Sequence, residues 1–235
     1  MKISISILCF NEHKNVKILI KQSKKLIKKY KNLQIIFVDN GSTDNTSKVL
    51  EKMSISKNLK KVFIKKNIGY GFGVIKGLSS GNGDVIGWTH GDDLDFFNKI
   101  EKIQNFKFSK KNFFFKGQRK GKRPFLEIIF SYGFNIVSSF FLRKKLWDIT
   151  AYPTLFTRNL YKKYKIYLPY DFSIDLYLFF FAKRDNYKIK RINFKYDKRK
   201  FGVSSWNKNF FSRIKLTINY ILKILRLVYL DIIKI

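Results

Sequence analysis

The feature that most constrains this chain lies in residues 83–95, where a short apolar run, Val85-Ile86-Gly87-Trp88, gives way to His90-Gly91-Asp92-Asp93-Leu94-Asp95. An apolar run of that length, opened by a Gly/Asn turn, reads as a buried strand. Three carboxylates within four residues just past its end repel one another, so they need either full solvation or a cation. In an α/β sheet, ligands bind outside the carboxyl ends of the strands. A hard divalent ion held by one or two carboxylates and by substrate phosphates suits that place. A solvated acidic loop is the plainer alternative. Against it, only 16 acidic residues face 49 basic ones in the whole chain, and four of the acids fall in this one stretch.

The remaining segments say what kind of sheet carries this strand. Residues 3–8 form an apolar strand followed by the turn Cys9-Phe10-Asn11-Glu12, and Val16, Leu19, Leu26 and Ile27 then mark a helix with a lysine-rich outer face. A second strand, residues 33–38, ends abruptly at Asp39-Asn40-Gly41-Ser42-Thr43-Asp44, where Asp44 is placed to cap a helix carrying Val49, Leu50 and Met53. Residues 62–64 supply a third strand before the glycine-rich Gly69-Tyr70-Gly71-Phe72-Gly73. Strands alternating with helices predict a mostly parallel, Rossmann-like sheet covered by helices, an α/β fold. The glycine run follows the third strand and not the first, which excludes a dehydrogenase-type dinucleotide site. Close approach to a neighbouring nucleotide remains compatible with it.

Composition bounds the partners. A chain of 235 residues is long enough for a sizeable core. One cysteine, Cys9, excludes an intramolecular disulfide and suits a reducing compartment. Residues 1–3 run directly into a strand, leaving no room for a signal peptide, and no apolar run reaches the roughly 18 residues of a membrane span. The expected location is cytoplasmic, peripheral at the cytoplasmic face of the membrane. The formal net charge of +33 attracts any polyanion. A Lys- and Asn-rich, Ala-poor composition produces the same excess without selection for binding. No distinct motif of interleaved basic and aromatic residues is present, so no nucleic-acid partner is expected.

Taken in order, Cys9-Phe10-Asn11-Glu12, Val38-Asp39-Asn40-Gly41-Ser42-Thr43-Asp44, Asn67-Ile68-Gly69 with Gly71, Gly83-Asp84, and His90-Gly91-Asp92-Asp93 resemble the successive motifs of the family 2 glycosyltransferases of the GT-A fold. A looser likeness in the later half, through Lys116-Gly117-Gln118-Arg119, Asp148, Leu155-Phe156-Thr157-Arg158, Asp175, and Arg199 with Gly202 and Ser204, is to the polyprenol-phosphate sugar transferases. The resemblance implies inverting, metal-dependent transfer from a nucleotide-sugar donor to a lipid-linked acceptor, a polyprenol phosphate or a glycolipid. A catalytically silent membrane-bound relative, or a transferase acting on a sugar hydroxyl of a cell-surface polysaccharide, is the alternative.

The resemblance also assigns roles. Asp39 would bind the nucleotide base, with Leu8, Phe10 and Glu12 lining the same pocket and Gly91 beside the phosphates. Asp92 would bind Mg2+ or Mn2+, with Asp93 and His90 as further candidate ligands. His90 stands where the family usually has a first aspartate, and imidazole suits manganese better than magnesium; it is alternatively an orienting group for a phosphate or water. Ser205-Trp206 stands where a basic residue is common. Asp175, in a helix apolar almost all round, is the candidate base if the acceptor is a hydroxyl. Asp171 reads as that helix's N-cap. Arg119, Arg158 and Arg199 are candidate phosphate clamps. Residues 116–123, five of them basic, read as a mobile loop over the site, and residues 125–142 as a helix on the core or the membrane surface. Residues 1–210 are expected to form the transferase domain, and residues 211–235 an amphipathic membrane-proximal helix. Its stripe of Ile214, Ile218, Ile221, Leu222, Leu225, Val228, Tyr229 and Ile232 is expected to meet lipid, with Lys215, Asn219, Lys223 and Arg226 opposite.

Overall fold

The computed structural model describes residues 1–106, 112–121, 125–195, 201 and 210–234, with the side chains of 125–127 and 210–216 left aside. In chain order the elements are β1 (Ile3–Cys9), α1 (His13–Lys29), β2 (Leu33–Asp39), α2 (Thr46–Glu51), β3 (Leu59–Phe63), α3 (Tyr70–Ser80), β4 (Val85–His90) and α4 (Phe96–Gln104). They are followed by β5 (Phe113–Lys120), α5 (Phe125–Phe141), β6 (Thr154–Thr157), α6 (Arg158–Tyr164), α7 (Ile174–Arg184), β7 (Lys188–Lys195) and α8 (Phe210–Ile232).

A seven-stranded sheet runs in the order β3-β2-β1-β4-β6-β5-β7. β1 pairs in parallel with both β2 and β4, and only β6 runs against its neighbours. β1 and β2 are buried along their whole lengths, as strands covered by helices on both faces must be. Two apolar layers result. One packs Ile5, Ile7, Leu19, Phe37 and Ile100 beneath α1 and α4. The other packs Val38, Trp88, Phe114, Phe156 and Phe179 with α7 and α8.

The third strand begins three residues earlier than the sequence predicts, because it is an edge strand that tolerates lysine. Lys61 Nζ donates to the carbonyls of Leu50, Glu51 and Met53 at the end of α2, and Lys60 Nζ to that of Ser80. Residues 116–120 are not a loop: they continue β5, paired with β7 through Lys120 opposite Lys195. The expectation of a mobile basic loop is thereby corrected for residues 116–120, while residues 122 and 123 lie outside the described residues. Lys116 is fully buried, and its neighbour Gly117 abuts the Tyr152 carbonyl, where a Cβ would stand 2.3 Å from the oxygen.

α8 docks through a side other than the stripe read from the sequence. Ile224, Leu227 and Leu230 enter the core, and Lys223 pairs with Asp171 at 3.4 Å. Ile218, Ile221, Leu222, Leu225, Tyr229 and Ile232 stay exposed. Asp171 itself precedes α7 and accepts the Ser173 N–H at 2.9 Å, while Ser173 stands at the cap.

Candidate active site

The parallel register of three strands brings their carboxyl ends together. Cys9 lies opposite Asp39, and Leu8 opposite His90. The Gly91 N–H donates to the Leu8 carbonyl at 2.7 Å, and a Cβ on Gly91 would stand 2.7 Å from that oxygen and 3.2 Å from Glu12 Cγ. A side chain at 91 would force the turn after β4 away from the end of β1. Leu8 and Glu12 are buried and Phe10 half-buried on the same rim. The Glu12 carboxylate accepts from Asn15 Nδ2. Asp39 is 2% exposed; its Oδ1 accepts the Ser42 N–H at 3.0 Å and its Oδ2 the Ser47 hydroxyl. A carboxylate offers about four acceptor directions, so each oxygen keeps one.

The acidic turn after β4 divides into unlike carboxylates. Asp93 is buried, with Oδ2 accepting from Thr89 Oγ1 at 2.6 Å and Oδ1 paired with Lys99 Nζ. Burial pushes its pKa up while Lys99 pulls the other way. The cation that faces this carboxylate is Lys99 of the chain itself. Asp92 is half-buried at the rim, and burial pushes its pKa up as well. Asp95 accepts from Asn98 Nδ2 at 2.7 Å at the start of α4. Among the described residues, no three His, Cys, Asp or Glu side chains are grouped to hold an ion by themselves.

His90 belongs to an aromatic network. Trp88 Nε1 donates to the Tyr70 hydroxyl at 2.7 Å, and that hydroxyl lies 3.0 Å from His90 Nε2. The imidazole also stacks on Tyr152, with centroids 4.2 Å apart. Burial pushes the imidazole down to about 4, so it is neutral at neutral pH, and the same burial raises the Tyr70 phenol well above its ordinary value. One assignment satisfies all three groups: Tyr70 accepts from Trp88 and donates its proton to Nε2, leaving the hydrogen on Nδ1. In that tautomer His90 carries its donor on Nδ1.

Asp175 lies on α7, 5% exposed, with Oδ1 3.1 Å from Lys116 Nζ. Lys116 also donates to Thr154 Oγ1 at 3.0 Å, and burial pushes its pKa down. Two of the three arginines expected to clamp phosphate are occupied elsewhere in the structure. Arg119 is locked onto Asp148 through Nε at 2.8 Å and through Nη2, which also reaches Thr150. Arg158 donates to the carbonyls of Gly83 and Gly81 at 2.7 and 2.9 Å. Arg199, with Gly202, Ser204 and Ser205, lies outside the described residues. The glycine run approaches the chain's own backbone: a Cβ at Gly69 would stand 2.1 Å from the Tyr170 carbonyl oxygen, and one at Gly71 2.3 Å from that of Pro169.

Sequence reasoning missed two lysines that are buried among the described residues. Lys99 follows Phe96 by three and precedes Ile103 by four, spacings that put it on the inner face of α4. For Lys116 no comparable signal exists, because the surrounding lysines and arginines hide it.

The chain matches the model of the family described as glycosyl transferase family 2 over residues 4–165. It is 30% identical over 104 residues to a cholesterol galactosyltransferase of Borreliella burgdorferi, an alignment covering 44% of this chain and 28% of that protein. It is 36% identical over 77 residues to an uncharacterised glycosyltransferase of Rickettsia conorii, covering 32% and 12%. Less than a third of either relative is thus spanned. Among solved structures, glucosyl-3-phosphoglycerate synthase from Mycobacterium tuberculosis with Mn2+, UDP-glucose and phosphoglyceric acid superposes with a TM-score of 0.66 at 14% identity, over 95% of this chain and 79% of that one. The same enzyme with Mg2+ and UDP gives 0.62 at 15% identity, over 86% and 72%. The sheet is that of the GT-A glycosyltransferases, and by its family match the chain belongs to glycosyl transferase family 2.

Proposed function

We propose that this glycosyltransferase moves a sugar from a nucleotide-sugar donor to a lipid-linked acceptor, with inversion, using a divalent ion held by Asp92 and the donor's diphosphate. The observation that carries this reading is the contrast between two adjacent carboxylates. Asp93 is sealed against Lys99, while Asp92 stands half-buried at the rim beside Gly91, two residues past His90, which lies opposite Leu8. A single carboxylate plus substrate phosphates suits an octahedral Mg2+ or Mn2+, and the solved neighbours named above hold Mn2+ or Mg2+ with UDP or UDP-glucose. When bound, the ion offsets charge developing on the leaving nucleotide. Asp39, with one acceptor direction left on each oxygen, is assigned to the base, and Leu8, Phe10 and Glu12 to the pocket around it.

For a hydroxyl acceptor, Asp175 receives the proton as the acceptor oxygen bonds to the sugar carbon and the bond to the diphosphate breaks. Lys116 positions that carboxylate. A glycolipid-type acceptor is favoured by the relative named as a cholesterol galactosyltransferase; a polyprenol phosphate would need no base. The test is a thermal-shift and donor-hydrolysis screen of nucleotide sugars with Mg2+ and Mn2+. One pair of nucleotide sugar and metal is expected to raise Tm and to be hydrolysed slowly. Asp92→Asn should lose the metal-dependent part of both while keeping the unliganded Tm. Full metal-dependent turnover in Asp92→Asn would overturn the assignment.

A further inference from the structure

α5 is built inside out. The residues it turns toward the domain include Asn135 and Ser138, both buried, and Ser139, whose hydroxyl meets the Leu146 N–H and carbonyl at 3.0 Å each. Asn135 Oδ1 accepts the Ile149 N–H at 3.4 Å, and Ser138 Oγ is buried without a hydrogen-bond partner. The residues it turns outward are Ile129, Phe130, Ile136, Val137, Phe140 and Phe141, with Phe140 76% and Ile136 62% exposed. A helix facing water carries the opposite pattern. α5 touches α8 through Phe134 and Tyr220, whose ring centroids are 4.3 Å apart, and α8 leaves its own stripe of Ile218, Leu222, Leu225 and Tyr229 exposed. Apolar exposure gathered on two touching helices marks an interaction surface.

We propose that α5 and α8 together form a plate that seats the protein in one leaflet of an anionic membrane, inserting apolar side chains below the headgroups. Charge decides between a bilayer and a second copy of this chain. Arg143, Lys144 and Lys145 follow α5, and Arg226 is exposed on α8, on a molecule of formal charge +33. A second copy would bring the same sign, whereas anionic lipid brings the opposite one. Trp147, exposed and edge-on to Tyr132 with centroids 4.6 Å apart, is the kind of amphipathic aromatic pair that sits at headgroup level. Among the described residues no helix is long and apolar enough to cross a membrane, so the plate lies in the interface. The choice of membrane rests on the lipid-acceptor reading above.

The test is flotation with vesicles of phosphatidylcholine and phosphatidylglycerol, without donor or acceptor, so that it stands apart from any assay of transfer. The full chain is expected to float and to remain with lipid in 0.5 M NaCl. Ile136→Gln/Phe140→Gln, altering exposed positions of α5 alone, should cut partitioning tenfold or more with Tm and donor hydrolysis unchanged. Brominated lipid should quench the tryptophan emission of the wild type, and Trp147→Phe should remove the quenched component, a readout that does not depend on the glutamine variant folding. The proposal is overturned if the protein stays in the aqueous phase, if salt alone strips it from lipid, or if it forms a dimer in solution that the two glutamines convert to monomer.

Discussion

At the scale of single residues, neighbouring carboxylates with the same sequence appearance have opposite environments. Asp93 and Lys99 compensate each other out of contact with water, and removing one partner of such a pair costs about 3–5 kcal/mol because the other is left charged and buried. Asp93→Asn is therefore expected to lower stability on that scale in urea unfolding, and by more than Asp92→Asn at the half-buried rim. Equal losses in the two variants would show that the division of the turn into a structural and a functional acid is wrong. The cluster and its place past a strand's end were legible in the sequence, because apolar runs and acidic residues can be counted. Which acid is sealed was not, because it depends on Lys99 reaching back from α4. The arginines illustrate the same limit: Arg119 and Arg158 look like phosphate clamps until Asp148 and the carbonyls of Gly81 and Gly83 are seen to hold them.

At the scale of elements, the first four strands were readable from their apolar runs, with β3 displaced only because edge lysines interrupt its pattern. α8 was readable as a helix but not as a docked one. Its periodicity revealed the exposed stripe, since that stripe is the longer of two apolar sides, and hid the shorter side formed by Ile224, Leu227 and Leu230. Its attachment has a pH dependence. The Tyr177 hydroxyl on α7 donates to the Lys223 carbonyl on α8 at 3.2 Å, and burial pushes that phenol up to about 12. An unfolded tyrosine ionises near 10, so between about pH 10 and 12 the folded chain holds a proton that the unfolded chain releases. The stability this group contributes is complete below pH 10 and is lost as pH rises toward 12. Unfolding free energies of wild type and Tyr177→Phe should therefore converge across that window. A gap between them that stays constant with pH would mean that Tyr177 does not tie α8 down through its proton.

At the scale of the whole molecule, two kinds of attraction to surfaces should separate by salt. The formal charge of +33 predicts that the protein binds DNA and heparin without regard to sequence, and that raising NaCl from 0.05 to 0.5 M abolishes this, because counterion release drives it. Filter binding across that range checks the point; a salt-resistant, sequence-dependent component would revive a nucleic-acid role. The chain's net charge was plain from composition, but its meaning was not, since composition says nothing about where apolar faces lie relative to it. The reversal of strand direction at β6 bears on how such a chain changes by descent. β6 is four residues long, and its ladder to β4 joins a half carrying Asp39 and Asp92 to a half carrying Lys116 with Asp175 packed beside it. Insertions and substitutions accumulating on the β5–β7 side leave the β1–β4 ladder intact, so under the proposed assignment descendants of one ancestor are free to diverge in what they glycosylate while inheriting an unaltered donor edge.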